Sequence, residues 1–177
     1  MADQSLHYSS NSDLWQTPDD FYQLLNSVWN FTLDPACTVD SAKCDKFYTP
    51  DDDGLAQSWA GEIVWVNPPY SRGNASRWIQ KCYEESEHAT VVVLPAARTD
   101  TTYMHEYGFK CDYVCFIKGR LKFDNPDADP EEKKNPAPFP SMLLIYDALM
   151  TPEKMRVLSQ IGVVMKPEDM MQYGVCV

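Results

Sequence analysis

Positive charge is scarce in this 177-residue chain: 15 Lys and Arg stand against 26 Asp and Glu, a formal net charge of −11. Phosphate contacts are made by Lys and Arg, so a protein that grips nucleic acid with its whole surface is excluded, and any such contact must be local. No apolar run approaches the roughly 18 residues of a membrane span. The opening residues carry neither a basic nor an apolar leader segment, so a cytosolic, soluble protein with no membrane partner is expected. The six cysteines form no Cys-x-x-Cys pair and the three histidines lie away from any ligand-like cluster, so no metal site is expected. The thiols are expected to be reduced and mostly in the core, as small hydrophobes.

At 44% hydrophobic residues the chain has material for one compact domain and no surplus for a second. Residues 1–13 read as a flexible tail and residues 14–177 as the domain. Within it, residues 124–140 read as a mobile surface loop rich in Pro, Asp and Glu. Thr17-Pro18-Asp19-Asp20 predicts a helix start with a capping hydroxyl, followed by a stripe of Phe21, Leu24, Leu25 and Val28. Strand-like runs are expected at 31–33, 63–66, 90–94, 113–117 (running on towards Phe123) and 141–146. Helical spacing falls at 76–86 and 102–109, and in a last helix opened by Thr151-Pro152 and closed by Gly162. Continuous apolar strands alternating with helices predict an α/β fold: a mostly parallel sheet with helices on both faces. Three strands end in polar or proline turns, at Asp34-Pro35, Asn67-Pro68 and Pro95-Ala96. Ligands of such sheets bind outside the carboxyl ends of strands, so these turns mark the candidate site.

Asn67-Pro68-Pro69-Tyr70 is the most informative of them. At a strand end, an Asn carbonyl oxygen and the adjacent backbone carbonyl both accept hydrogen bonds, the prolines stiffen the backbone, and Tyr70 offers a flat aromatic face. That set suits a planar amino group. The exocyclic amine of a base is conjugated with its ring and is a poor nucleophile. Two acceptors taking its two hydrogens favour a pyramidal nitrogen with its lone pair free to attack. No catalytic His or Cys is needed, because the proton can leave after the transfer.

The tetrapeptide resembles the catalytic motif of the amino-methyltransferases, which act on adenine or cytosine amines in DNA, adenine in RNA, or glutamine in protein. Leu33-Asp34-Pro35-Ala36-Cys37 resembles their first, cofactor-binding motif. Taken in order with Trp15-Gln16-Thr17-Pro18, Asp53-Gly54-Leu55, Leu94-Pro95-Ala96-Ala97-Arg98 and Gly119-Arg120-Leu121-Lys122-Phe123, these motifs are similar to the short phage-type Dam family of DNA adenine methyltransferases. The resemblance runs from about Trp15 to Tyr146 and implies a Rossmann-like domain binding S-adenosylmethionine.

The resemblance further implies that Trp15, Thr17 and Pro18 hold the methionine end of the cofactor, beside Asp34, Pro35 and Ala36. Asp53, preferred to Asp51 and Asp52, would meet the ribose or the adenine amine. Asn67 and the Pro68 carbonyl would bind the target amine, with Pro69 stiffening the turn and Tyr70 stacked on a base extruded from DNA. Arg72, Arg77, Arg98 and Arg120 are the candidate phosphate contacts, and Phe123 or Phe139 would close the other side of the base. Larger enzymes of this chemistry carry a separate target-recognition region that has no counterpart of that size here. Sequence recognition then falls to short loops or to a homodimer partner. An enzyme of this kind would suit a phage or mobile element marking its own DNA. Two rival readings keep the same fold: methylation of RNA or protein glutamine, and a catalytically idle binding decoy.

Overall fold

The computed structural model describes residues 15–71, 73–123 and 136–171. The expected tail, Arg72 and most of the expected loop therefore lie outside the described residues. Seven strands form one sheet in the order β2-β1-β3-β4-β6-β5-β7: β1 (Leu33–Asp34), β2 (Lys46–Phe47), β3 (Ile63–Val66), β4 (Thr90–Val93), β5 (Tyr113–Ile117), β6 (Met142–Tyr146) and β7 (Gly162–Met165). β2, β1, β3 and β4 pair in parallel, whereas β6 is antiparallel to both β4 and β5, and β7 is antiparallel to β5. Five strands thus point one way and two against them, a mixed sheet whose parallel half carries the strand ends singled out above.

Alternation along the strands builds two cores. Trp65, Val92, Leu143 and Ile145 face one way, onto α1 (Asp19–Trp29) and α4 (Pro152–Ile161). Val64, Val66, Val91, Val93 and Leu144 face the other, onto α2 (Asn74–Glu85) and α3 (Thr102–Glu106). Helices on both faces follow from strands that are apolar on both sides. The first helix differs in detail from expectation. It starts at Asp19 with Pro18 at the N-cap, and no side chain caps it. The Thr17 hydroxyl is buried elsewhere, as described below, and the acids of the first turn face the helix's positive end instead. Its buried face is Phe21, Tyr22, Leu25 and Trp29, with Leu24 and Val28 only half-buried. The large rings of Tyr22 and Trp29 turn the stripe towards themselves.

Three elements were not anticipated. β2 is two residues long and lies in a polar stretch, so it carries no periodic signal. β7 begins at Gly162, expected only to end a helix; there a Cβ would stand 2.1 Å from the Phe116 carbonyl oxygen, so glycine lets the strand approach β5. A short α5 (Pro167–Met171) follows. Conversely, β5 stops at Ile117 rather than continuing to Phe123, because Gly119 takes a positive φ of 81°. Past that turn the chain is tied to the end of the expected loop: Ala137 N–H donates to the Leu121 carbonyl at 2.8 Å, and an Arg120 guanidinium N–H donates to the Ala137 carbonyl at 3.1 Å.

Candidate active site

The chain leaves β1 to one side to form β2 and returns to the other side to form β3, so the strand order reverses at the carboxyl ends of β1 and β3. Open α/β sheets bind ligands at this switch point. A cavity of about 400 Å³ lies there, lined by Trp15, Thr17, Asp34, Pro35, Ala36, Asp53, Asn67 and Pro69 among the residues expected from sequence. Its volume is within the range of roughly 300–1,000 Å³ typical of small-molecule sites. Pro18 is not in the wall; it sits at the start of α1. Cys37, the last residue of the first motif, also lines the cavity, and sequence reasoning missed Lys43, Tyr48, Trp65, Asn74 and Trp78, which line it too. Tyr48 is brought in by the unpredicted β2, and its N–H donates to the Asp34 carbonyl at 2.9 Å.

Asp34 is the buried acid of the cavity wall. Its side chain is buried, with one oxygen accepting from Ala36 N–H at 3.3 Å and the other from Lys43 N–H at 3.1 Å. Burial raises its pKa from 3.8 to about 6 despite those donors. A cation arriving beside it would stabilise the charged form and lower that value again. Opposite, Gly54 closes the wall: a Cβ there would meet the Pro35 carbonyl oxygen at 2.1 Å. Among the three neighbouring acids, Asp53 lines the cavity, held in a left-handed turn with φ 51°. Asp52 is turned away, accepting from the Thr49 N–H and hydroxyl at 2.8 Å each.

Asn67 sits at the border of this cavity with both ends of its amide engaged. Its Nδ2 donates to the Trp15 carbonyl at 2.6 Å, and its Oδ1 lies 2.9 Å from the Tyr70 hydroxyl. These partners fix which way the amide points. The Tyr70 hydroxyl is also 2.9 Å from the Leu94 carbonyl, and its one proton serves one acceptor at a time. An amide oxygen has two lone pairs, so Asn67 Oδ1 keeps accepting capacity. Desolvation holds the Tyr70 phenol well above its ordinary value, so it stays protonated.

Beyond Asn67 lies an aromatic cluster of Trp15, Tyr70, Phe123 and Phe139. The Tyr70 and Phe139 centroids are 4.7 Å apart at 34°, while Trp15 meets Phe123 and Phe139 edge-on at 6.1 and 5.9 Å. A base sandwiched between two rings needs them roughly 7 Å apart, two contact distances of about 3.5 Å. At 4.7 Å the two rings touch, so Phe139 lies against the Tyr70 ring and leaves no base-wide gap between them. Of the candidate phosphate contacts, Arg77, Arg98 and Arg120 are exposed, on α2, after β4 and after β5. Arg120 has in addition the structural bond to Ala137 described above.

A model of the family described as DNA N-6-adenine-methyltransferase (Dam) matches residues 4–175. The chain belongs to the Dam family. Among individual relatives, the DNA N-6-adenine-methyltransferase of Haemophilus phage HP1 is 27% identical over 152 residues, covering 83% of this chain and 86% of its own length. That of Escherichia phage T1 is 34% identical over 115 residues, 63% of this chain and 48% of its own. The Dam match spans every residue of the cavity and of the aromatic cluster, so both lie within the family's common domain. It also agrees with the mixed α/β sheet as a Rossmann-like methyltransferase fold.

Proposed function

We propose that the cavity at the ends of β1 and β3 holds S-adenosylmethionine, and that Asn67 to Tyr70 present the N6 amine of a DNA adenine to its methyl group. The reaction follows from the family: the chain is an adenine-specific DNA methyltransferase. The observation that carries the assignment of the site is the Asn67 amide, oriented from both ends and standing where the cavity meets the aromatic cluster.

The residues present fit the cofactor. Asp34 is a buried carboxylate lacking a cationic side-chain partner among its hydrogen bonds, and the cofactor has an ammonium and a sulfonium. Thr17 Oγ1 is buried without a hydrogen-bond partner and belongs to the cavity wall, so a polar ligand there would complete its bonding. Asp53 is placed to accept from a ribose diol, the pairing that carboxylates make in dinucleotide sites. When bound, the cofactor supplies an electrophilic methyl group on sulfur.

Asn67 Oδ1 and the Pro68 carbonyl accept the two amine hydrogens, which directs the nitrogen lone pair away from the base ring and towards the methyl carbon. Tyr70 holds the base by stacking once Phe139 has moved aside. With the cofactor bound, its methyl carbon would pass from sulfur to this nitrogen, and the extra proton would then leave to water, since a nitrogen alkylated in this way is strongly acidic. Flipping the base costs about a few kcal/mol, offset by stacking and by the acceptors at Asn67. Arg77, Arg98 and Arg120, with Arg72, supply the local positive charge that an acidic body otherwise lacks for DNA.

Incubation with S-adenosylmethionine carrying a labelled methyl group and unmethylated DNA, followed by digestion to nucleosides and mass analysis, tests the site. Labelled N6-methyladenine that disappears in Asn67→Ala is the expected result. Label in RNA or protein but not in DNA would overturn the DNA substrate, and undiminished label in Asn67→Ala would overturn the role of the motif.

A further inference from the structure

Among the described residues, three buried side-chain polar atoms have no hydrogen-bond partner: Thr17 Oγ1, Trp65 Nε1 and Ser141 Oγ. Two of these residues, Thr17 and Trp65, line the same cavity. Trp65 is fully buried in β3, with its ring packed against Tyr22 at 5.8 Å and Phe31 at 5.5 Å, so packing holds the indole in place. A buried indole N–H ordinarily finds an acceptor. A core position needing only an aromatic ring is better served by Phe, which leaves no donor unpaired. Hydrophobic packing therefore accounts for the ring of Trp65 but not for its nitrogen.

We propose that Trp65 is a cofactor-positioning residue whose indole N–H, together with the Thr17 hydroxyl, receives the α-carboxylate of the methionine half of S-adenosylmethionine. This rests on the reading of the cavity as the cofactor site. An indole N–H only donates, so its partner must be an acceptor. Place in the fold selects which one. Trp65 lies two residues before Asn67, which directly follows β3 and lines the same cavity, and the register Leu33↔Val64 sets Asp34 beside Trp65 on the neighbouring strand. Asp53, the candidate ribose contact, is in the separate turn before Gly54. The methyl group must face the amine held at Asn67, which brings the methionine half to Trp65, Thr17 and Asp34. The carboxylate is the anionic group of that half, and the two donors match it while Asp34 matches the ammonium. The two ends of one amino acid are thus sorted by adjacent strands.

Calorimetry with S-adenosylhomocysteine and with its decarboxylated analogue separates this from a structural role. Trp65→Phe keeps an aromatic, though smaller, ring and removes the donor. It should bind S-adenosylhomocysteine about tenfold or more weakly, as expected for losing a hydrogen bond to a charged group. It should bind the decarboxylated analogue as wild type does, whatever the modest fall in melting temperature that the smaller ring brings. Equal losses for both ligands, or no loss for either, would overturn the proposal. Thr17→Val, measured with the same pair of ligands, tests the carboxylate contact independently should Trp65→Phe melt early. Failure of the wild-type protein to bind S-adenosylhomocysteine at all would instead remove the cofactor reading of the cavity.

Discussion

Towards β1, Asn67 borders a preformed cavity of about 400 Å³ walled by backbone turns and buried rings. Towards β4 it borders Tyr70, whose ring is already covered by Phe139 at 4.7 Å. One side is an open cavity, whereas on the other a protein ring lies against Tyr70. The cofactor side is built from strand ends that the sheet holds in register. The base side is built from Phe123 and Phe139, which stand on chain segments joined to each other by Ala137–Leu121 and Arg120–Ala137 bonds. On the proposed assignment the contrast teaches that the cofactor would meet a fixed receptor, whereas a base would have to displace Phe139 from the Tyr70 ring.

Asn67→Ala strikes the boundary itself and should have the largest effect. Loss of an oriented acceptor costs about 100- to 1,000-fold in kcat, with a much smaller change in affinity for S-adenosylhomocysteine; comparable losses in both would erase the distinction between the two sides. Gly54→Ala attacks the fixed side alone. Its Cβ meets the Pro35 carbonyl oxygen at 2.1 Å, and overpacking of this kind costs about 1–3 kcal/mol. Calorimetry should show cofactor affinity lowered about tenfold or more, with DNA affinity unaffected.

Phe139→Ala attacks the closed side. An aromatic pair contributes about 0.5–1.5 kcal/mol beyond area burial, so uncovering Tyr70 should lower KM for DNA by about two- to tenfold. A 2-aminopurine placed at the target adenine should report readier flipping, with cofactor affinity unchanged. A rise in KM instead would make Phe139 the second wall of the base slot rather than its occupant.

A pH dependence is expected on the cofactor side alone. With Asp34 raised to about 6 by burial, the folded protein binds that proton more tightly than the unfolded chain. Asp34 therefore favours the cofactor-free fold most at low pH and loses that contribution as pH rises through about 6. Cofactor binding needs the carboxylate charged, so affinity for S-adenosylhomocysteine should be level above that pH and fall below it, by up to about tenfold per unit. Titration at about pH 5 and about pH 7.5 checks it, and Asp34→Asn should flatten the profile.

Much of this site was legible in the sequence, for a physical reason: the turns at Asp34-Pro35 and Asn67-Pro68 follow apolar strands, and proline ends a strand abruptly. Local chemistry thus marked both strand ends that the sheet then places side by side. What could not be read depends on contacts made across the fold. Thr17 next to Pro18 has the local form of a helix cap, but the chain enters from the cavity side, so the hydroxyl turns into the wall. Trp65 looks like any buried strand aromatic, and only its neighbours show that its nitrogen is unpaired. Lys46–Phe47 and Gly162–Met165 are strands through their pairing with β1 and β5 rather than through any alternation of their own. The contact between Tyr70 and Phe139 joins residues far apart in the chain, beyond the reach of any local pattern.

Asn67 is followed by a proline, and that neighbour bears on how the protein ages. An asparagine amide is lost chiefly when the next backbone nitrogen attacks it to form a cyclic imide, which opens to a carboxylate. The nitrogen of Pro68 carries no hydrogen and is already fully substituted, so that route is closed at this position. A carboxylate there would also sit beside the Trp15 carbonyl oxygen that the Asn67 amide now satisfies as a donor. The residue that stiffens the turn therefore also protects the amide on which the proposed presentation of the target amine depends.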